Sequence, residues 1–243
     1  MSNNELSFKD KIIKNSLKCD LLKDYSNNTL IRSLIQIVPY GSVVDNLLSV
    51  SYNNILIERA RVFYNELSRG KIELTAELIE SEDFLHSYFS TYKAALYTKQ
   101  REKIRLFARL LQNGLHTNII NKADEYDDYL KILNELTIRE ICILHVLEKF
   151  EFESPKNKNE NELQRAQTFW SYFEKEIFRT MNIEPLELRG FLKRIERTGC
   201  YTEITGAFFD YSGGRGYLTQ TYIKLKELIA VKDEDLVFYQ NSY

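Results

Sequence analysis

Cysteine, proline, glycine and histidine are all scarce in this 243-residue chain, which carries 3, 3, 9 and 3 of them. Each scarcity excludes something. Cys19, Cys142 and Cys200 are too few, too scattered and odd in number to form a disulfide framework, and they lack the paired spacing of a zinc site. They read as free thiols in a reducing compartment. Few prolines and glycines, set against many Leu, Ile, Lys and Glu residues, disfavour a sheet-rich fold and favour long helices. The formal net charge of −2 gives no overall signature of a nucleic-acid binder, so any such role needs a local patch. The N-terminal MSNNELSFKDKIIKN has no apolar core ahead of a small-residue cleavage site. The expected location is therefore the cytoplasm. Aromatic residues, by contrast, are abundant, with 16 Tyr and 14 Phe against one Trp.

One segment approaches the length of a membrane span. Residues 30–50 read LIRSLIQIVPYGSVVDNLLSV. Arg32 and Asp45 lie inside it and Pro39-Tyr40-Gly41 breaks its middle, and each charge at bilayer depth costs a few kcal/mol. Two short core-packed pieces joined by a turn fit better than a span. Lys9, Lys11, Lys14, Lys18 and Lys23 precede it and keep peripheral membrane contact as an alternative.

Helical periodicity dominates most of the chain. Ile12, Ile13, Leu17, Leu21 and Leu22 mark a first helix. A second runs from about Asn54 to Arg69 on Leu56, Ala60, Phe63, Tyr64 and Leu67, with Gly70 as a left-handed cap. Residues 72–80 suggest a short helix. Ser81 opens another, followed by Glu82 and Asp83 at the positive end of its dipole. That helix is expected to break near Thr98. Its continuation on Ile104, Phe107, Ala108, Leu110 and Leu111 is expected to stop at Asn113-Gly114. Asp124, Glu125, Asp127 and Asp128 lack the ligand spacing and glycine of a calcium loop and read as an acidic helix start. The run Lys99 to Lys103 reads as a solvated surface or a partner contact.

The final third has the most informative order. Thr137-Ile138-Arg139-Glu140 is a capping-box sequence opening a helix to about Phe150. A polar stretch, 151–162, leads to a helix over about 163–181 with Phe169, Trp170, Phe173, Ile177 and Phe178 on its apolar side. Pro185 suits the first turn of a third helix, with Gly199 as its cap. YTEITGAFFDY then suits a strand, Ser212-Gly213-Gly214-Arg215-Gly216 a turn, and Tyr217-Leu218-Thr219 a returning strand. Thr221 is the expected cap of a last helix ending near Ala230. The segments LELRGFLKRIERTGCYTEI and FFDYSGGRGYLT resemble the helix and glycine-tipped hairpin of winged-helix modules. The long polar stretch and long second helix depart from a compact one.

At about 100° per residue, Leu188, Phe191, Leu192 and Ile195 share one face of the third helix. Arg189, Lys193, Arg194 and Arg197 fall on the opposite face. In a DNA-reading helix they meet phosphates and base edges, with Arg215 adding a contact from the hairpin tip. Equally, such cations complement a helix C-terminus and solvate its outer face, and Glu187 and Glu196 dilute them. SGGRG lacks the spacing of a phosphate loop.

No enzyme motif is present. His86, His116 and His145 are isolated, and no HExxH, GxSxG, kinase or dinucleotide-binding pattern occurs. No catalytic residue, metal ligand or cofactor is assigned. Over most of its length, on IVPYGSVVDNLL, ERARVFYNEL, SEDFLHSYFSTYKAALYTKQREKIRLFARLLQNG and the winged-helix-like end, the chain resembles poorly characterised bacterial and prophage-associated helical proteins. That resemblance implies a mobile-element or phage-defence setting and no known reaction.

The expected fold is mainly α: a helical body over 1–136, a winged-helix-like module with one β-hairpin over 137–232, and a tail over 233–243. The expected function is non-catalytic. The body makes protein contacts or self-associates, and the module touches DNA or a protein partner through Arg189, Lys193, Arg194, Arg197 and Arg215. The alternatives are a membrane-responsive effector using residues 30–50 and an enzyme whose site is dispersed over several helices.

Overall fold

A computed structural model describes residues 47–70, 78, 80–158, 160–205 and 213–236. Helices dominate, with one two-stranded antiparallel sheet. The first helix and nearly all of the 30–50 segment lie outside the described residues. So do Cys19, most of the 72–80 segment and the hairpin residues 206–212. Among the described residues no helix is long and apolar enough to cross a membrane.

The N-terminal part is built of α1 (Leu47–Arg69), α2 (Glu82–Tyr97), α3 (Arg101–His116) and α4 (Ala123–Glu135). A 3-10 turn, Ile119–Asn121, joins the last two. Helix α1 begins seven residues before the expected Asn54, and residues 47–50 of the apolar segment form its first turn. Ser81 caps α2 by accepting from the Phe84 amide, as expected. The break near Thr98 separates α2 from α3.

Two glycines act differently from expectation. Helix α3 does not stop at Asn113-Gly114 but runs on to His116. Tertiary contacts outweigh the local breakers: a Cβ at Gly114 would lie 2.8 Å from the Tyr126 ring, and the Asn113 amide donates to the Leu228 carbonyl at 2.7 Å. Gly70 is not left-handed either. It leaves room for Gln112, whose amide donates to the Glu66 and Leu67 carbonyls at 2.8 and 2.7 Å. A side chain from α3 thus satisfies the carbonyls at the end of α1, the task a glycine cap usually performs.

The C-terminal part comprises α5 (Ile138–Glu153), α6 (Glu162–Met181), α7 (Pro185–Arg197), β1 (Tyr201–Glu203), β2 (Gly216–Leu218), α8 (Gln220–Ile229) and α9 (Asp233–Leu236). The capping box of Thr137 and Glu140 forms in full. A second one, Asn161 with Gln164, opens α6. Helix α5 reaches one turn beyond Phe150, so the polar connection shortens to eight residues. Arg165 of α6 ties it down by donating to the Glu151 and Ser154 carbonyls. Tyr201 pairs with Leu218, Thr202 with Tyr217 and Glu203 with Gly216. Thr219, not Thr221, caps α8, because the chain leaves β2 directly into the helix and Thr219 Oγ1 meets the Tyr222 amide.

Helix α3 sits at the centre, against α1, α2, α4 and α8. Its buried residues include Ile104, Phe107, Leu110 and Leu111, with Arg109 and Gln112 among them. One apolar cluster extends from Phe63 in α1 to Leu236 in α9, through Phe173, Ile195 and Tyr222. Residues 233–236, placed in a tail by the sequence, form a short helix with Asp235 and Leu236 buried.

Candidate functional site

The exposed face of α7 follows from how the helix is seated. Pro185 starts it, and Leu188, Phe191, Leu192 and Ile195 are buried, as their spacing predicts. Gly199, at φ +75°, turns the chain into β1. Arg189, Lys193, Arg194 and Arg197 therefore face outward.

Most of these cations already have acidic neighbours. Lys193 pairs with Glu196 at 3.0 Å and with Glu203 of β1. Glu203 also accepts from the Gly214 amide at 2.6 Å. Partial burial pushes the Glu203 carboxyl upward, but Lys193, the Gly214 N–H and Arg189 together hold it below its ordinary value. Arg194 donates from Nε to Glu140 at 2.9 Å, and Glu140 is the buried member of the α5 capping box. Arg189 lies against the hairpin: a Cβ at Gly214, itself at φ +88°, would come within 2.8 Å of its Nε. Arg215 is half-buried and its carbonyl accepts from the Ile204 amide at 2.8 Å. Among the described residues Arg197 makes no ion pair. The five residues singled out by sequence divide among the hairpin, which carries Arg215, helix α5 and open surface. Arg189 and Lys193 join the hairpin, Arg194 joins α5, and Arg197 stands apart.

Beside this face lies a groove that spacing did not reveal. Gln100, Thr137, Arg139, Leu186, Glu187, Gly190, Phe191 and Arg194 line a volume of about 630 Å³. Leu186, Gly190 and Arg194 form one i, i+4 row along α7. Leu186 is 81 % exposed, and nothing lies within 4 Å of a Cβ built at Gly190. Opposite, Arg139 projects from the first turn of α5. The Arg139 and Arg194 guanidiniums both stack on Phe191, at 4.9 and 4.6 Å from its ring centroid. A leucine on the polar side of α7, next to a helical glycine, is the sequence signal that marks this row. The partnership with Arg139 is tertiary and has none.

No family model, no curated protein and no solved structure matches the chain. The surface has to be read from its own chemistry.

Away from the groove, Cys142, Cys200 and Lys103 are buried in the fold. Burial pushes the Cys142 thiol up to about 12 and raises that of Cys200, so both stay protonated near neutrality. Burial lowers Lys103 to about 8 against the opposing pull of Glu140. Its ammonium donates to the Asn134 carbonyl and lies beside Phe107, enclosed by protein. His145 contacts Asp233 at 2.8 Å and His86 contacts Asp127 at 3.2 Å. Among the described residues no three His, Cys, Asp or Glu side chains are grouped as a metal ion needs.

Proposed function

We propose that the protein is a non-catalytic interaction protein whose winged-helix-like C-terminal module engages a protein partner through the groove between α5 and α7. The observation that carries this is Leu186, 81 % exposed at the groove beside the vacant space over Gly190. Exposed apolar side chains next to a concavity are what a protein surface buries on association. The order of three helices, a hairpin and a closing helix supports the winged-helix-like reading. The pairing of Lys193 with Glu196 and Glu203 favours protein over duplex DNA. A phosphate approaching Lys193 would also meet the two carboxylates that already neutralise it. On the body, exposed Ile55 and Ile57 of α1 support further protein contacts.

A photo-crosslinking amino acid at position 186, in cells of the native host, tests this reading. A discrete protein adduct, absent when the probe is moved to Lys224 on the outer side of α8, is the expected result. Duplex binding that weakens steeply with salt, and that charge reversal at Arg189, Lys193 and Arg197 abolishes, would replace it with the DNA reading.

A further inference from the structure

We infer that the groove between α5 and α7 reads a carboxylate: Arg139 and Arg194 take an acidic side chain of a partner segment, and Leu186 and Gly190 receive an apolar residue beside it. This rests on the protein-partner reading above and names the chemistry of that partner.

The argument begins with donors. A guanidinium carries five N–H groups in a planar fork. Arg194 uses one of them, Nε, on Glu140. Arg139 approaches Glu187 only to 3.8 Å, beyond hydrogen-bond length, and among the described residues its guanidinium makes no hydrogen bond. Two forks with most of their donors unspent therefore face one groove.

Ordering is the second point. A flexible arginine loses side-chain entropy on binding, and a pre-placed one loses less. Both guanidiniums rest on Phe191, which is itself almost fully buried. Arg194 is held further by Glu140. Thr137 fixes that carboxylate in turn, its amide and hydroxyl both donating to Glu140 Oε2 at 2.8 Å. The capping box that starts α5 thus also orients a groove arginine. Such positioning suits bidentate capture of a planar carboxylate.

Shape supplies the apolar half. The groove is an open surface depression of about 630 Å³. Leu186 and the Phe191 edge are hydrophobic, and Gly190 leaves open space between Leu186 and Arg194. Glu187 stands among the lining residues and disfavours a repeating polyanion, whereas a single acid flanked by an apolar residue avoids it.

The test uses the full chain and two synthetic peptides, acetyl-Gly-Glu-Leu-Glu-Phe-Gly-amide and its twin with both Glu replaced by Gln. Binding is read from the Arg139 and Arg194 Nε–Hε and the Gly190 amide resonances. Saturable shifts with the acidic peptide, weakened about tenfold or more for the Gln twin and for Arg139→Gln, are expected. Gly190→Gln fills the open space with a good helix former, and is expected to abolish the shifts while the melting temperature is kept or raised. The inference is overturned if no saturable shift appears at about 5 mM peptide, or if the Gln twin binds equally well. It is also overturned if a DNA duplex moves the same resonances in competition with the peptide. A protein adduct at position 186 together with silent peptides sinks this inference and leaves the protein-partner reading standing.

Discussion

Gly114 and Gly190 both lie inside helices, and only their surroundings separate them. In an exposed helix interior, glycine costs about 0.5–1 kcal/mol relative to alanine. Nothing lies within 4 Å of a Cβ at Gly190, so Gly190→Ala is expected to recover that amount and raise the melting temperature by a few degrees. At Gly114 the same methyl would press on Tyr126, 2.8 Å from its ring. Tyr126 is fully buried and its hydroxyl bonds Thr91 at 2.6 Å, so the ring has nowhere to retreat. Gly114→Ala is expected to destabilise by about 1–3 kcal/mol through overpacking. Paired thermal melts check both, and equal shifts of one sign would refute the distinction. The two residues also mark what is legible at this scale. Ser81, Thr137, Pro185 and Gly199 act through neighbours within a few positions, and their roles could be read directly. Gly70, Asn113 and Gly114 act through Gln112, Leu228 and Tyr126, which sequence spacing does not bring near them.

Among the elements, the joint between α5, α6 and the sheet turns on Glu151. Its carboxylate accepts from the Leu218 amide of β2 at 2.8 Å and lies 3.6 Å from Arg165 of α6. Burial pushes the carboxyl up to about 7. The Leu218 N–H and Arg165 oppose this, and Glu162 and Glu148 reinforce it. A raised acid favours the fold when protonated. Between the unfolded value of about 4.5 and about 7 the folded chain holds a proton that the unfolded chain releases. This contribution is complete below pH 4.5, declines as pH rises through 7, and is lost above. Glu151→Gln keeps an acceptor for Leu218 and removes the titration. Its stability relative to the parent is expected to improve between pH 5 and pH 8, by at most about 3 kcal/mol. Urea unfolding at the two pH values measures it, and a relative loss at pH 8 would contradict it. The strand that Glu151 anchors was legible from Tyr217-Leu218-Thr219 after the glycine-rich turn, whereas the first strand, expected over 201–211, is described only over Tyr201–Glu203. The eight-residue length of the α5–α6 connection was not legible, because Arg165 shortens it by binding carbonyls across the joint.

At the scale of the molecule, the largest departure from the sequence reading is the burial of charge in the centre. Arg109 of α3 is 4 % exposed and donates to Glu66 of α1 at 2.6 Å and to Asp235 of α9 at 2.5 and 3.1 Å. It donates as well to the Ala230 carbonyl at the end of α8. One side chain thereby ties the first described helix to the last two. Hydrophobic periodicity cannot find such a group, since an arginine in α3 reads as a surface residue and its partners lie 43 and 126 positions away. Asp235 further accepts from the Lys232 amide, which fixes the turn into α9. Its removal leaves the guanidinium buried with half its compensation gone. Breaking such a pair from one side typically costs about 3–5 kcal/mol, more than the intact pair contributes. Asp235→Ala is therefore expected to destabilise the whole chain by that order, in one transition that shifts helix content and Trp170 fluorescence together. Trp170 sits in α6, remote in sequence from the lesion, and packs on Phe169 and Phe173 in the shared core. If residues 233–236 were a dispensable tail, the variant would melt at the parental temperature. If the C-terminal module unfolded independently of α1 and α3, the two signals would separate. Replacing Glu66, Arg109 and Asp235 together by Leu, Met and Leu removes the buried charges along with their desolvation cost. That triple variant is expected to lose less stability than the three single substitutions combined, the signature of residues that act as one unit.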